Sequence, residues 1–161
     1  MPIKTHITLD YELFFGEKTG SIERCLLEPT QRTIGILNRH NVKLVLFVDA
    51  SYLVRLKKLA PQYPDLGNCF DRIAKQLYEI AHQGHDIQLH IHPHWNISNY
   101  DGTRWNINTS RYRLHDYSKD EINSIIAECC TVLTDITGSA PIAFRAGGWC
   151  LQPFEQIADA L

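Results

Sequence analysis

His85-Asp86-Ile87-Gln88-Leu89-His90-Ile91-His92-Pro93-His94-Trp95 carries both the strand pattern and the chemistry of this chain. It opens as a short apolar strand, Asp86 to Leu89, and runs straight into a histidine cluster. Four of the chain's eight histidines lie in this segment, which has no lysine or arginine. Neutral imidazole is the commonest protein ligand for a divalent metal and carries protons near neutral pH. The density of rings therefore points to a metal site rather than a polar loop.

Outward from this segment, helical and strand patterns alternate. Phe70 to Gln83 has Ile73, Leu77, Ile80 and Ala81 on one face, and Gly84 supplies a C-terminal stop. Before it come a strand at Val42 to Val48, a helix at Pro29 to Arg39 with Pro29 in its first turn, and a strand at Ile3 to Leu9. Downstream, Ser118 and Glu121 form an S-x-x-E capping box ahead of Ile122, Ile125, Ile126, Cys129, Val132, Leu133 and Ile136. Gly138 ends that helix, Pro141 to Phe144 reads as a fourth strand, and Phe154, Ile157, Ala158 and Leu161 mark a last amphipathic helix. Alternation of this kind predicts an α/β domain with a parallel sheet, spanning residues 1–161.

In such folds chemistry gathers at the carboxyl edge of the sheet. Asp10 and Glu12 follow the first strand, the histidines the third, and Arg145 the fourth. In an extended chain His90, His92 and His94 share one face, but His90 and His94 then lie roughly 13 Å apart at about 3.3 Å per residue. Two ligands each about 2.0–2.1 Å from one zinc cannot span that. Joint ligation by His90 and His94 requires a turn after His90, and Pro93 disfavours helical backbone at His92. The alternative pairs His92 with either neighbour in an extended loop.

Asp10 and Glu12 lie two apart and point the same way. One carboxylate can complete a two-histidine, one-carboxylate metal set while the other stays free as general base on metal-bound water. Arg145 can orient a carboxylate. Gly147-Gly148 after it allows close backbone approach, and its N–H groups can stabilise an oxyanion.

Together Thr8-Leu9-Asp10-Tyr11-Glu12, His90-Ile91-His92-Pro93-His94 and Arg145-Ala146-Gly147-Gly148 resemble, in order and approximate spacing, the three motifs T-F-D-D-G, H-[ST]-x-x-H and R-x-P-[YF] of the polysaccharide deacetylase family (carbohydrate esterase family 4). Phe47-Val48 is similar to the F-F-V strand between the first two. The resemblance implies an incomplete (β/α) barrel, Asp10 as general base, and His90 and His94 as metal ligands. The family's third ligand falls on Tyr11, and Glu12 takes that role if the motif behaves as a D-x-[DE] variant. His92 and Tyr11 then either stand behind the ligands and orient them or serve as alternative ligands. Arg145 holds Asp10, and the backbone at Gly148 stands where the family's oxyanion donor does.

The resemblance further implies a divalent cation, zinc ahead of cobalt, manganese or nickel, and an acetylated saccharide as substrate. Trp95, Trp105 and Trp149 are candidate substrate-binding residues. Within the irregular stretch from Asn96 to Asp116, Tyr100, Trp105 and Tyr112 either stack on sugar or cover the barrel mouth. The family's later strands carry a histidine general acid, whereas no histidine follows His115 here. The expectation is a chain truncated at its C-terminus, with a missing segment or an oligomer closing the sheet. Two rivals follow: a hydrolase of a small non-sugar amide, and a catalytically silent relative that binds metal or sugar.

Composition narrows the classes. A net charge of -2 with scattered basic residues argues against nucleic acid, and no apolar run reaches the roughly 18 residues of a membrane span. The N-terminal Met-Pro-Ile-Lys-Thr-His lacks a signal-peptide h-region, which predicts a cytoplasmic chain and an intracellular sugar intermediate as substrate. Five cysteines, two adjacent and none in a C-x-x-C pair, argue against disulfides, and Cys129 reads as a small buried hydrophobe.

Overall fold

The computed structural model describes residues 5–16 and 18–161. Its main sheet has four parallel strands, β1 (Ile7–Tyr11), β2 (Leu44–Asp49), β3 (Asp86–Ile91) and β6 (Phe144–Ala146), in the order β1-β2-β3-β6. A separate antiparallel hairpin joins β4 (Asn99–Tyr100) to β5 (Trp105–Asn106). Helices α1 (Glu28–Arg39), α2 (Ala50–Leu59), α3 (Pro64–His82) and α4 (Lys119–Thr137) alternate with the parallel strands, which curl into a half-barrel. The incomplete (β/α) barrel expected from the sequence is the observed architecture.

Register places the chemistry. β2 and β3 pair Asp49 with His90, and β3 and β6 pair His90 with Arg145, so these three residues share one row across the sheet. Asp10 pairs with Phe47 and Tyr11 with Val48, which brings Glu12 to the same carboxyl edge. Successive residues face opposite sides of a strand. One side of the sheet therefore carries Leu44, Leu46, Val48, Ile87, Leu89 and Ile91, all buried. They share a core with Ile73, Leu77 and Ile80 of α3 and Ile122, Ile126 and Leu133 of α4. The other side presents Asp10, Asp49, Gln88, His90 and Arg145.

The sequence reading shifts at several boundaries. Ile3 lies outside the described residues; among the described ones, β1 starts at Ile7 and continues through Asp10 and Tyr11. β3 runs on to Ile91 and β6 starts at Phe144, so His90 and Arg145 stand on strands rather than after them. α3 begins at Pro64, six residues before the expected start, with Pro64 in its first turn. The unanticipated α2 starts directly after β2, buries Ala50, Ser51, Tyr52, Leu53, Val54 and Leu56, and exposes Lys57 and Lys58 near its end. α4 is as expected: Ser118 and Glu121 close the capping box, and Gly138 adopts a left-handed φ of 78° at its end. The final stretch is no α-helix but two 3-10 turns, Phe154–Gln156 and Ala158–Ala160. Only Ile157 there is buried, which leaves no continuous apolar face to sustain a helix.

Candidate metal centre and active-site cleft

β3 stays extended through Ile91, and His92 continues it with φ −108° and ψ 91°. Period-two alternation then puts the rings of His90 and His92 on one face. Pro93 begins a 3-10 turn, Pro93–Asn96, that carries His94 away. His90 Nε2 lies 3.1 Å from His92 Nε2 and 3.0 Å from Glu12 Oε2, and Glu12 Oε2 also contacts His92 Nε2. Glu12, His90 and His92 are the one group among the described residues whose donor atoms converge closely enough for a metal ion.

Three features suit this group to a divalent cation. His90 Nδ1 donates to the Arg145 carbonyl at 2.7 Å, which turns Nε2 toward the centre. Donors about 2.0–2.1 Å from a tetrahedral zinc stand about 3.4 Å from one another, slightly wider than the two distances His90 Nε2 makes here, while Glu12 and His92 stand closer still. The donor set is two imidazole nitrogens and a carboxylate oxygen. Burial by itself would raise the Glu12 carboxyl, but hydrogen bonds from His90 and His92, with the charge on both rings, hold it at about 2. Glu12 is thus a carboxylate across the whole working pH range.

His94, expected as a ligand, is placed elsewhere. Its ring centroid is 5.7 Å from that of His92, with Trp95 stacked on it at 4.9 Å and Phe15 edge-on at 5.0 Å. Burial pushes its pKa down to about 4, against the pull of Asp49 and Glu12, so the ring is neutral at pH 7. Its Nδ1 is buried without a hydrogen-bond partner. The physical reason is the extended His92: the chain turns two residues too late for an i, i+4 pair.

Tyr11 is likewise placed away from the cation group. It is 3% exposed on the helix side of β1 and donates from Oη to Gln76 Oε1 at 2.9 Å, and burial raises its pKa. Gln76 in turn donates to the Leu27 carbonyl. Tyr11 anchors the strand so that Asp10 and Glu12 face the other way.

Asp10, Glu12, His90, His92 and Arg145 line one cleft of about 430 Å³ with Phe15, Tyr112, Ala146, Gly148 and Trp149. Arg145 pairs with Asp10 Oδ1 through Nη1, donates to Thr8 Oγ1 through Nη2 at 2.8 Å, and stacks over the Phe47 ring at 4.0 Å. Gly147 is where backbone must pass close to the ring of His92. A Cβ there would meet the Ile91 carbonyl oxygen at 2.3 Å and His92 Nδ1 at 2.8 Å. Gly148 and Trp149 both take left-handed backbone, φ 59° and 58°, and Trp149 stands fully exposed at the cleft mouth.

Residues 22–150 match the family of the polysaccharide deacetylases. The chain belongs to that family. The matched span contains the histidine segment and Arg145 through Trp149 and begins after Asp10 and Glu12. Membership supports hydrolysis of acetyl groups on saccharides as the chemistry of this polysaccharide deacetylase relative. No curated protein matches the chain.

Other sequence expectations change in place. Trp95 is 2% exposed and donates from Nε1 to Asp49, so it lies beneath the histidines and not in the cleft. Trp105 packs on Tyr52, Trp95 and Tyr100, outside the cleft lining. His85 stands apart from the cation group: its Nδ1 accepts from the Leu44 amide and its Nε2 donates to Asn38, tying α1 to the start of β2. All five cysteines are free. No helix among the described residues is long and apolar enough to cross a membrane.

Sequence reasoning passed over Phe15 and Asp49. Asp49 could have been found: it ends β2 as Asp10 and Arg145 mark the carboxyl edge elsewhere. Phe15 carries no such signal, since it reaches the site only through the fold of the segment after β1.

Proposed function

We propose that this chain removes an acetyl group from an acetylated saccharide with the help of a divalent cation held by Glu12, His90 and His92. The observation that carries the reading is the convergence of Glu12 Oε2, His90 Nε2 and His92 Nε2 beside the Asp10–Arg145 pair in one cleft. A cation bound there would polarise an acetyl oxygen and bring the pKa of a water toward neutrality. Zinc suits the nitrogen-rich set, with cobalt, manganese and nickel as substitutes.

The protein's own groups supply the rest. Asp10 is the base that takes the proton from the attacking water. Arg145 pairs with it and fixes its orientation toward the cleft. Among the described residues lining the cleft, Asp10 is the carboxyl outside the cation group, so it also returns the proton to the leaving oxygen or nitrogen. The Gly148 N–H is the candidate donor to the developing oxyanion. Trp149 and Tyr112 offer aromatic faces to a sugar ring, and the left-handed backbone under an exposed Trp149 is the kind of strain found at ligand clamps.

Acetate release from N- and O-acetylated oligosaccharides tests this directly. Wild type loaded with zinc releases acetate, and D10N loses about 10²–10⁴-fold in kcat with its metal content intact. Undiminished turnover by D10N would remove Asp10 from the mechanism, and metal uptake without any release would mark a binding relative.

A further inference from the structure

Asp49 stands at the N-cap position of α2, where an aspartate ordinarily accepts amide hydrogens from its own helix. It makes no such bond. Its carboxylate is 3% exposed and turns instead to the segment following β3. Oδ1 accepts from the His92 backbone N–H at 3.2 Å and from Ser51 Oγ at 2.5 Å, and Oδ2 accepts from Trp95 Nε1 at 2.8 Å. Ser51 Oγ also sits 3.1 Å from the His92 N and 2.8 Å from its carbonyl oxygen.

A buried carboxylate is expensive unless its oxygens are satisfied, and both are satisfied here mainly by residues 92 and 95. We propose that Asp49 is the positioning residue for His92. Resting on the assignment of Glu12, His90 and His92 as the cation group, it holds the backbone extended at His92 and pins the following turn through Trp95. Asp49 touches neither cation nor substrate and acts only through the geometry of His92. From the opposite side Gly147 leaves room for the ring, so His92 is fixed at backbone and ring together.

The donor pattern yields a specific test. Both carboxylate oxygens accept, so an asparagine at 49 must turn its amide N–H₂ toward a donor, either Trp95 Nε1 or the His92 N–H. D49N therefore gives up the longer link, to the His92 N–H at 3.2 Å, and keeps the 2.8 Å one to Trp95, while D49N/W95F removes the Trp95 donor and lets the asparagine oxygen return to His92. Zinc affinity of the full chain is measured by competition with a chromophoric chelator, beside melting temperature, for wild type, D49N, W95F, D49N/W95F and H92A.

D49N is expected to weaken zinc by about 10–100-fold, W95F by a few-fold at most, and D49N/W95F to recover most of the loss although it melts lowest. Wild-type affinity in D49N, or no recovery in D49N/W95F, overturns the positioning role while a weakened H92A leaves the cation group standing. Wild-type affinity in H92A overturns both. If D49N fails to fold, S51A carries the test: a loss of several-fold supports the role, and an unchanged affinity refutes it.

Discussion

His92 sits at φ −108° and ψ 91°, and the proline after it ends the extended run. That conformation separates it from His94, although the two differ little in sequence context. Gly147 belongs to the same geometry. Because a Cβ would overlap the Ile91 carbonyl and the His92 ring, G147A should cost at least about tenfold in zinc affinity, read by chelator competition. Unchanged affinity would show that the ring can shift without consequence. The residue scale was only half legible beforehand. Carboxylates, histidines and arginine at strand ends were readable from pattern alone, but which histidine joins them depends on a backbone dihedral that no spacing rule fixes.

At the scale of elements, α4 was the most legible, because its capping box, apolar stripe and terminal glycine all agree. It also gives a pH prediction. Glu121 is held down to about 2 by the Arg111 guanidinium and by hydrogen bonds from Ser118. A carboxyl whose folded pKa lies below its unfolded value of about 4.3 stabilises the fold above that value, and this contribution fades as pH falls toward about 2. E121Q should therefore lower the urea midpoint at pH 7 and flatten its decline between about pH 4.5 and 2. An equally steep decline in E121Q would place the acid sensitivity elsewhere. Leu77 of α3, fully buried against the sheet, should cost about 2–5 kcal/mol as L77A in the same denaturation series. α2 escaped notice because it follows β2 without a single intervening residue, so its apolar start reads on from the strand.

The molecule as a whole places four strand ends around one cleft, and each contributes: Asp10 and Glu12 from β1, Asp49 from β2, His90 and His92 from β3, and Arg145 from β6. Order along the chain made the fold readable, since strands alternating with helices leave few topologies. The loop from Asn96 to Asp116 did not follow, because its aromatics divide between an internal cluster around Trp95 and the cleft wall at Tyr112. Trp149 belongs to the mouth. W149A should raise KM for an acetylated oligosaccharide severalfold while leaving turnover of a small acetate ester unchanged, and equal effects on both would argue against a sugar platform. The most direct test of the whole arrangement is zinc stoichiometry in purified H92A and H94A, measured by plasma mass spectrometry at matched folding. The cation group of Glu12, His90 and His92 predicts that H92A loses bound zinc and H94A retains it; zinc kept by H92A and lost by H94A would contradict the account.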